Sequence, residues 1–260
     1  MRDAREIWYD AQNRVSIVIA DVTDAAQRLA AGHLCGPTSA HFLAEGLAAA
    51  ALLGAETSLE DETLILQMKC TGPLGGLVAE CTANGTLRGY TEKKTFDAFD
   101  GLGKPSAAKV LGKKQIQVIR SVPGRIISQG AATTLGGYLT QSLQRNAEIR
   151  LEAAVSDEVE ILEARGVLVE ALPDSPLSKD AKLVKAVRSL NVSSRNLLDK
   201  LGYPNAELKS TMPLSFACRC SAERAAAILA TLSAEERAAL APAVDITCHM
   251  CGKTWSIPAK

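Results

Sequence analysis

The chain has 260 residues, 47% of them hydrophobic, so it is long enough to bury a core and too apolar to be disordered throughout. Its formal net charge at pH 7 is zero, which excludes a protein that is strongly basic or acidic as a whole. The most apolar stretch, residues 42–59, is interrupted by Glu45 and Glu56, so we expect no membrane span. Residues 1–10 are charged and lack the apolar stretch of a secretory signal. We therefore expect a cytoplasmic protein whose cysteines are thiols or metal ligands.

Charge is unevenly distributed along the chain. Residues 1–175 contain 17 Lys and Arg against 22 Asp and Glu, whereas residues 176–260 contain 12 against 7. The two parts would therefore attract each other. The basic part would also suit a nucleic-acid contact, but it has no dense run of Lys and Arg, which makes that signal weak.

The first part of the chain contains both strand and helix patterns. "VSIVIA" (15–20) predicts a buried strand, and the alanine-rich residues 39–54 predict a helix whose small side chains permit close packing. Residues 63–90 predict a three-stranded meander, because apolar residues alternate in "TLILQMKC" and "LVAEC" and "NGT" is a turn signal. Such a sheet with segregated helices predicts the α+β class. Further strands are expected at 116–122, 149–155 and 166–172, with a helix at 133–145.

Two prolines in "LPDSPLS" (172–178) indicate a boundary between domains. Beyond it, short helices are predicted at 179–190 and 193–202, the second followed by a glycine stop signal. After an extended segment, two more short helices are predicted, capped by Ser221 and by the capping box Ser233–Glu236. The expected division is an N-terminal α+β domain (1–175), a helical linker (176–211) and a small C-terminal domain (212–260).

Four of the seven cysteines lie near the C-terminal end, in the pattern Cys218-x-Cys220 and Cys248-x-x-Cys251. Four thiolates are a complete tetrahedral ligand set for structural zinc, and two close pairs separated by a helical insert can close such a site. Gly252, directly after the second pair, permits the tight turn of a metal-binding knuckle. We therefore predict one zinc ion (Zn²⁺) per chain in the reduced state, bound by Cys218, Cys220, Cys248 and Cys251.

The other candidate ligands show no metal-binding spacing. His249 lies between two predicted ligands, but with four thiols present we expect it to face solvent or to support the ligands. Arg219 and Lys253 lie beside the predicted ligands, where they would offset part of the negative charge of a zinc tetrathiolate. Structural, surface or small buried roles are expected for Cys35, Cys70, Cys81, His33 and His41.

A thiol–disulfide oxidoreductase is an alternative interpretation of "CHMC". That chemistry favours a C-x-x-C motif at the start of a helix, which lowers the pKa of one thiol. Here "GKTWSIP" follows Cys251 and predicts an extended segment ending in a proline. The sequence context therefore disfavours this role, and we expect the protein not to be an enzyme.

Oxidation would change how the predicted site is held together. Structural zinc contributes on the order of 10–16 kcal/mol in small metal-folded peptides. Disulfides would form most easily within the close pairs, Cys218–Cys220 and Cys248–Cys251, and loops this short contribute under about 2 kcal/mol each. Because these disulfides do not connect one pair to the other, the surrounding short helices should loosen. A site of this layout is therefore suited to sense oxidants.

These features resemble the redox-regulated holdase chaperones of the heat-shock protein 33 family. The resemblance extends nearly from end to end, and its most specific mark is the cysteine set in "CRCS" and "CHMCGK", with "TGPLGGLVAE", "GTLRGY" and "GVLVEALP" in support. It implies an N-terminal α+β domain that dimerises, a metastable helical linker and a C-terminal zinc-binding redox switch. It further implies that oxidation forms a disulfide within each close pair, releases zinc and unfolds the switch and the linker. The oxidised protein would then hold unfolding client proteins without ATP, whereas the reduced form would be inactive.

The chain departs from the pattern of that family in three places. Residues 142–144 read Ser-Leu-Gln where the family usually has Ser-Glu-Gln, so one polar contact is missing. The segment "LAPAVDI" before Cys248 lacks an acidic-glycine turn, and Arg165 stands where a second glycine is common. None of these departures affects the predicted zinc ligands.

The alternative function is a zinc-stabilised nucleic-acid- or ribosome-binding protein that uses the basic C-terminal part. Aromatic residues, which would stack on bases, make up only 4% of the chain, and this disfavours the alternative. As a chaperone, the protein would bind clients through apolar surface that is covered until the C-terminal part unfolds. The candidates are the strand faces at 64–81, for which ordinary core packing is the other interpretation, and the linker residues Leu183, Val184, Leu190, Leu197 and Leu198.

Overall fold

The computed structural model describes residues 2–176, 187–194 and 196–258. Within these residues, two sheets lie on opposite sides of one long helix. The five-stranded antiparallel sheet contains, in spatial order, β10 (Glu207–Pro213), β1 (Ala4–Asp10), β2 (Val15–Asp21), β9 (Ile161–Ala171) and β8 (Asn146–Val155). The six-stranded sheet contains β11 (Ser215–Phe216), β5 (Thr86–Thr91), β4 (Gly76–Thr82), β3 (Thr63–Cys70), β6 (Lys114–Val122) and β7 (Arg125–Ala132).

The helices and a small C-terminal ribbon complete the described fold. The ribbon pairs β12 (Ala243–Thr247) with β13 (Thr254–Pro258) in antiparallel register. The helices are α1 (Thr23–Gly32), α2 (Pro37–Leu53), α3 (Ala107–Leu111), α4 (Leu135–Gly137), α5 (Leu197–Leu201), α6 (Ala222–Leu229) and α7 (Ala234–Ala238).

Helix α2 forms the centre of the core between the two sheets. All of its residues are buried except Pro37 and Glu45, which are only partly exposed. It packs against β8 and β9 of one sheet and against β4 and β5 of the other. A helix buried on all sides is apolar all round rather than amphipathic. Its alanines therefore serve packing, because small side chains let both sheets approach the helix axis.

The same helix shows why composition alone does not decide a membrane span. Residues Pro37–Glu56 are long and apolar enough to cross a membrane, with a mean hydropathy of 1.2 in the best window. Our expectation that Glu45 and Glu56 exclude a span was therefore too strict. In the fold, 89% of that window is buried, which is typical of a core helix.

The structure confirms the mixed α+β fold, and every strand predicted in the first 172 residues is present. The helix predicted at 133–145 is wrong in length, because only α4 and a π-helical turn at Tyr138–Ser142 form there. Two glycines in its first turn disfavour a longer helix, and the chain must turn back into β8. Leu143 packs against the core, and Arg145 forms ion pairs with Glu56 and Glu170.

The described part of the predicted linker covers the outer face of the five-stranded sheet. Helix α5 ends at Gly202, whose φ of +87° is the left-handed conformation predicted for a glycine stop. The predicted helix at 179–190 lies mostly outside the described residues. Strands β2 and β9 are apolar on both faces, because α2 covers one face and the linker covers the other. The linker side chains buried in this layer are Val187, Leu190, Val192, Leu197, Leu201 and Tyr203.

The segment after the linker connects both sheets to the cysteine-rich part of the chain. Strand β10 pairs with β1, and β11 then adds two residues to the edge of β5. The expected boundary at residue 211 lies inside β10, and the expected three-part division stays a prediction. Both predicted caps in the C-terminal part are confirmed, since Ser221 accepts from the amide of Arg224 and Ser233 forms a capping box with Glu236.

Candidate metal and redox site

The four predicted zinc ligands lie together in the structure. Cys218 and Cys220 directly follow β11, whereas Cys248 and Cys251 lie in the turn between β12 and β13. The Sγ atoms of Cys218 and Cys248 are 3.8 Å apart, those of Cys220 and Cys251 are 3.5 Å apart, and all four lie within 4.8 Å of one another. Zinc–sulfur bonds of about 2.3 Å in a tetrahedron place the sulfurs about 3.8 Å apart. The thiol set therefore fits one tetrahedral ion.

The electrostatics of the four thiols also favour a bound cation. Burial raises the pKa of the Cys251 thiol well above its usual range, and burial likewise raises the pKa of Cys248. Burial acts against ionisation of Cys218 as well, but hydrogen bonds from the backbone of Cys220 and from the neighbouring thiols outweigh it and lower the pKa of Cys218. Four thiolates this close repel one another without a positive ion between them. The donor set is therefore suited to a divalent metal that binds sulfur.

A tight turn holds the second cysteine pair. The amide of Gly252 donates to the carbonyl oxygen of Cys248 at 2.9 Å, and the amide of Cys248 donates to the carbonyl oxygen of Lys253 at 2.9 Å. Gly252 has φ +73°, a conformation that disfavours residues with a side chain. The turn expected from the position of Gly252 is therefore present.

The turn at residues 248–252, which we call the knuckle, lies directly against β5 and the end of α1. The amide of Gly89 in β5 donates to the carbonyl oxygen of Met250 at 3.2 Å. His33, at the end of α1, donates from Nε2 to the carbonyl oxygen of Gly89 at 2.9 Å, and the ring of Tyr90 meets the ring of His249 edge-on at 5.5 Å. Cys251 is 5% exposed as a result. The site is therefore packed against the end of α1 and against β5.

Sequence reasoning missed these contacts. The glycine in the "GTLRGY" stretch did not signal them, because the missing side chain of Gly89 makes room for the backbone of Val78 and Ala79 in the neighbouring strand β4. His33 was expected to be structural or at the surface, and it is buried at this contact.

A charged cluster lies beside Cys218. Arg88 in β5 donates from Nε to Glu80 at 2.6 Å, and Arg219 approaches the same carboxylate at 3.9 Å. Burial lowers the pKa of Arg88, but its hydrogen bonds to Glu80 and Cys218 outweigh that effect, so the pKa lies above its usual value. Lys253 instead stacks on the ring of Trp255 at 4.0 Å. Arg88, a partly buried residue of β5, therefore supplies positive charge next to a predicted ligand.

The remaining cysteines lie outside the thiol cluster. Cys81 is fully buried, and burial raises its pKa to about 11, so it stays a neutral thiol. Cys35 is buried as well, whereas Cys70 is only partly buried against a small cluster around Phe96. Within residues 2–176, 187–194 and 196–258, the only group of three or more potential metal ligands is the set of four predicted cysteines.

Comparison with known proteins identifies the family. The model of the Hsp33 protein family matches residues 7–258. A 33 kDa chaperonin of Thermus thermophilus is 28% identical over 92% of this chain and 79% of its own length, and that of Geobacillus sp. (strain WCH70) is 26% identical over 96% and 92%. The crystal structure of the 33 kDa chaperonin (heat shock protein 33 homolog) from Thermotoga maritima has the same fold, with a TM-score of 0.85 at 18% identity over 100% of this chain and 96% of that one. Since the family model matches almost the whole sequence, this chain belongs to the Hsp33 protein family.

Proposed function

We propose that this protein is an oxidation-activated molecular chaperone of the holdase type. In the reduced state, Cys218, Cys220, Cys248 and Cys251 hold one zinc ion. On oxidation, disulfides Cys218–Cys220 and Cys248–Cys251 form, zinc leaves, and the chain binds unfolding proteins without ATP. The family membership and the names of the relatives support the chaperone function. The observation that carries the redox part is the set of four sulfurs within 4.8 Å of one another.

The small size of the C-terminal core supports a switch rather than a passive site. Among the described residues, its fully buried apolar side chains are Ala225, Leu229 and Ile257, supported by partly buried neighbours. Burying such a side chain contributes roughly 1.5–3 kcal/mol at most. A bound metal contributes on the order of 10 kcal/mol in comparable small domains. The four cysteines therefore decide whether this part of the chain stays folded.

The oxidation step balances with a hydroperoxide as the oxidant. Formation of each disulfide removes two electrons from two thiolates. One peroxide O–O bond accepts these electrons and, with two protons from solvent, yields water and an alcohol, or two waters for hydrogen peroxide. Two equivalents of peroxide convert the four thiolates into two disulfides, neither of which connects Cys218 or Cys220 to Cys248 or Cys251. The two cysteine pairs are then no longer tied together.

The linker covers an apolar sheet face that the proposed switch would uncover. Val15 and Ile17 of β2 and Val167 and Val169 of β9 are fully buried on the outer sheet face. An outer strand face is normally polar unless another element covers it. Release of the linker would expose this apolar face together with Leu190 and Leu197. Of the other candidate client contacts, Leu198 is partly buried, whereas Leu183 and Val184 lie outside the described residues.

The strand faces at 64–81 do not support a role in client binding. Leu64, Leu66, Leu77 and Cys81 are buried against the central helix in the main core cluster. Unfolding of the C-terminal part would not reach them. Ordinary core packing, the other interpretation of these residues, agrees better with the structure.

Several accompanying expectations belong to the same proposal. We propose a homodimer from the family resemblance, and a cytoplasmic location from the charged residues 1–10. We propose no membrane or specific nucleic-acid partner. We also propose that the protein is not an enzyme. Residues 254–258 after the C-x-x-C motif form strand β13 rather than a helix, which supports this over a thiol–disulfide oxidoreductase.

One experiment tests the proposed function on a single sample. Zinc content and suppression of thermal aggregation of citrate synthase are measured before and after treatment with peroxide at mildly elevated temperature. Loss of one zinc per chain as aggregation is suppressed supports the proposal. Retention of zinc, or loss of zinc without suppression, contradicts the redox switch. Insulin reduction on the same sample detects an oxidoreductase if turnover is catalytic.

A further inference from the structure

The outer edge of β5 is covered by the backbone of the C-terminal part of the chain. Strand β11 pairs with β5 in parallel over two residues only, Ser215 with Thr86 and Phe216 with Leu87. The amide of Ser215 donates to the carbonyl oxygen of Gly85 at 3.1 Å. This edge of the six-stranded sheet is therefore occupied, but by a very short strand.

Two further backbone hydrogen bonds continue along the same edge. The amide of Ala217 donates to the carbonyl oxygen of Leu87 at 3.3 Å, and the amide of Gly89 donates to the carbonyl oxygen of Met250 at 3.2 Å. The three backbone groups belong to Gly85, directly before β5, and to Leu87 and Gly89 within it. Alternate residues of a strand direct their backbone groups to the same side. Segments from two distant parts of the C-terminal region thus complete one ladder.

The residues that cover this edge are adjacent to the predicted zinc ligands. Ala217 precedes Cys218, and Met250 lies between Cys248 and Cys251. Cover from Met250 depends on the knuckle, and cover from Ala217 depends on the first cysteine pair. Unfolding of the cysteine region would therefore free the carbonyl oxygens of Gly85 and Leu87 and the amide of Gly89.

The surface beneath the covering residues is apolar. Leu87 is fully buried and belongs to the main core cluster together with Leu29 and Ala30 of α1. Cys251 is a buried member of this cluster, and Phe216, Cys218, Cys220 and Cys248 pack against it. Once they leave, a strand edge with free hydrogen-bonding groups lies next to exposed apolar side chains. An extended polypeptide with apolar side chains can bond to the free backbone groups and cover the apolar side chains at the same time.

We propose that the outer edge of β5 binds client proteins by strand addition, with an extended segment of the unfolding chain taking the place of residues 215–217 and 250. This inference rests on the proposed function and specifies the strand at which the oxidised protein binds its client. Backbone hydrogen bonds do not depend on side-chain identity, so this mode suits many different clients.

Access to the opposite edge of the same sheet does not depend on whether the cysteine region is folded. In strand β7, Ile126 is 58% exposed and Ile127 is 37% exposed while the cysteine region is folded. A client could reach this edge whether or not the cysteine region is folded. Strand β5 is therefore the edge whose access depends on the cysteines, and β7 provides the matched control.

Hydrogen exchange measured by mass spectrometry tests the inference on the full chain. Peptides that span residues 85–91 are followed in the reduced zinc form, after peroxide treatment, and after peroxide treatment with thermally unfolding citrate synthase. We expect the amides of these peptides to be protected in the reduced zinc form and to exchange fast after peroxide treatment. In the complex with citrate synthase, their exchange should be at least tenfold slower than after peroxide treatment alone. Fast exchange of these amides in a complex that holds the client overturns the inference alone. Absence of any holdase activity after zinc release overturns the proposed function as well.

A photocrosslinking pair gives a second, independent readout. Tyr90 is replaced by p-benzoylphenylalanine, which preserves an aromatic side chain beside His249, and the control carries the same group at Ile126. Crosslinks from position 90 to citrate synthase that appear only after oxidation support strand addition at β5. Crosslinks confined to position 126, or crosslinks from position 90 that are equal before and after oxidation, contradict it.

Discussion

Gly32 at the end of α1 and Gly252 in the knuckle pack directly against each other. A Cβ atom on Gly252 would lie 2.0 Å from the carbonyl oxygen of Gly32, and one on Gly32 would lie 2.6 Å from the carbonyl oxygen of Cys251. Neither position has room for a side chain. The end of helix α1 is thus the surface on which the second cysteine pair rests, and this close contact buries Cys251.

Replacement Gly252→Ala should separate the knuckle from the end of α1. The variant carries a positive φ, which costs about 1–2 kcal/mol for a residue with a Cβ, and it also places the new methyl group against Gly32. We expect faster hydrogen exchange at residues 245–258 in the reduced form and faster zinc loss on peroxide treatment.

Gly101→Ala is the matched control for that variant. Gly101 has φ +80°, but a Cβ there would meet no atom within 4 Å. The two variants share the backbone strain and differ in the steric clash. Equal behaviour of Gly252→Ala and Gly101→Ala would show that contact with Gly32 does not hold the knuckle in place.

Replacement Cys218→Ser should abolish stoichiometric zinc binding. A hydroxyl is a poor substitute for a thiolate in a sulfur site, and loss of the metal removes on the order of 10 kcal/mol from a region with a small core of its own. Zinc content by elemental analysis and protease sensitivity after residue 206 measure the effect. Cys70→Ser, at a partly exposed thiol outside the cluster, should retain one zinc. Full zinc content in Cys218→Ser would contradict the ligand assignment.

Replacement Arg88→Met should weaken zinc binding without removing a ligand. Arg88 bonds to Glu80 at 2.6 Å and lies beside Cys218, where it offsets the negative charge of the sulfurs. Loss of such an outer partner lowers metal affinity by about 10-fold or more. Competition with a chromogenic chelator under reducing conditions measures the affinity. Arg125→Met, at the exposed first residue of β7, is the control. Equal affinities of the two variants would exclude a role for Arg88.

Replacement Leu190→Asp should activate the chaperone without oxidation. Leu190 is 6% exposed and packs on the outer face of the five-stranded sheet, so a carboxylate there would release the linker. We expect full zinc content together with partial suppression of citrate synthase aggregation in the reduced state. Leu208→Asp is the control, because Leu208 is already 47% exposed. If reduced Leu190→Asp has an undocked linker but does not suppress aggregation, the sheet face is not a client surface.

The acid stability of the N-terminal domain should depend on Glu62. This carboxylate is fully buried, and burial alone would raise its pKa, but Arg120 and the amides of Ser58 and Leu59 outweigh burial and lower it. A lowered pKa stabilises the fold above the usual value of Glu, and this stability is lost as pH falls through the pKa of the folded state. Glu62→Gln should therefore lose stability at neutral pH and show a flatter decline below about pH 4.5, measured by thermal unfolding against pH. Glu60→Gln, at an exposed position, should follow the parent protein.

The predictions made from sequence that held are those that depend on neighbours in the chain. The capping box at Ser233, the glycine stop at Gly202 and the strand alternation of "TLILQMKC" are local patterns, and each forms where it was predicted. The helix predicted at 133–145 was wrong in length, because the helical pattern is weak and contains Gly136 and Gly137. The chain also has to turn back into β8 at this point.

Sequence by itself determined the ligand candidates, the α+β class and the family, because cysteine spacing and periodicity are written in consecutive residues. Only the tertiary structure decided where the site lies. Gly32 of α1 and Gly89 of β5 meet the knuckle although both are far from it in the chain, and no local pattern specifies that packing. The burial of α2 was decided in the same way, since an apolar helix becomes a core helix only when two sheets close around it.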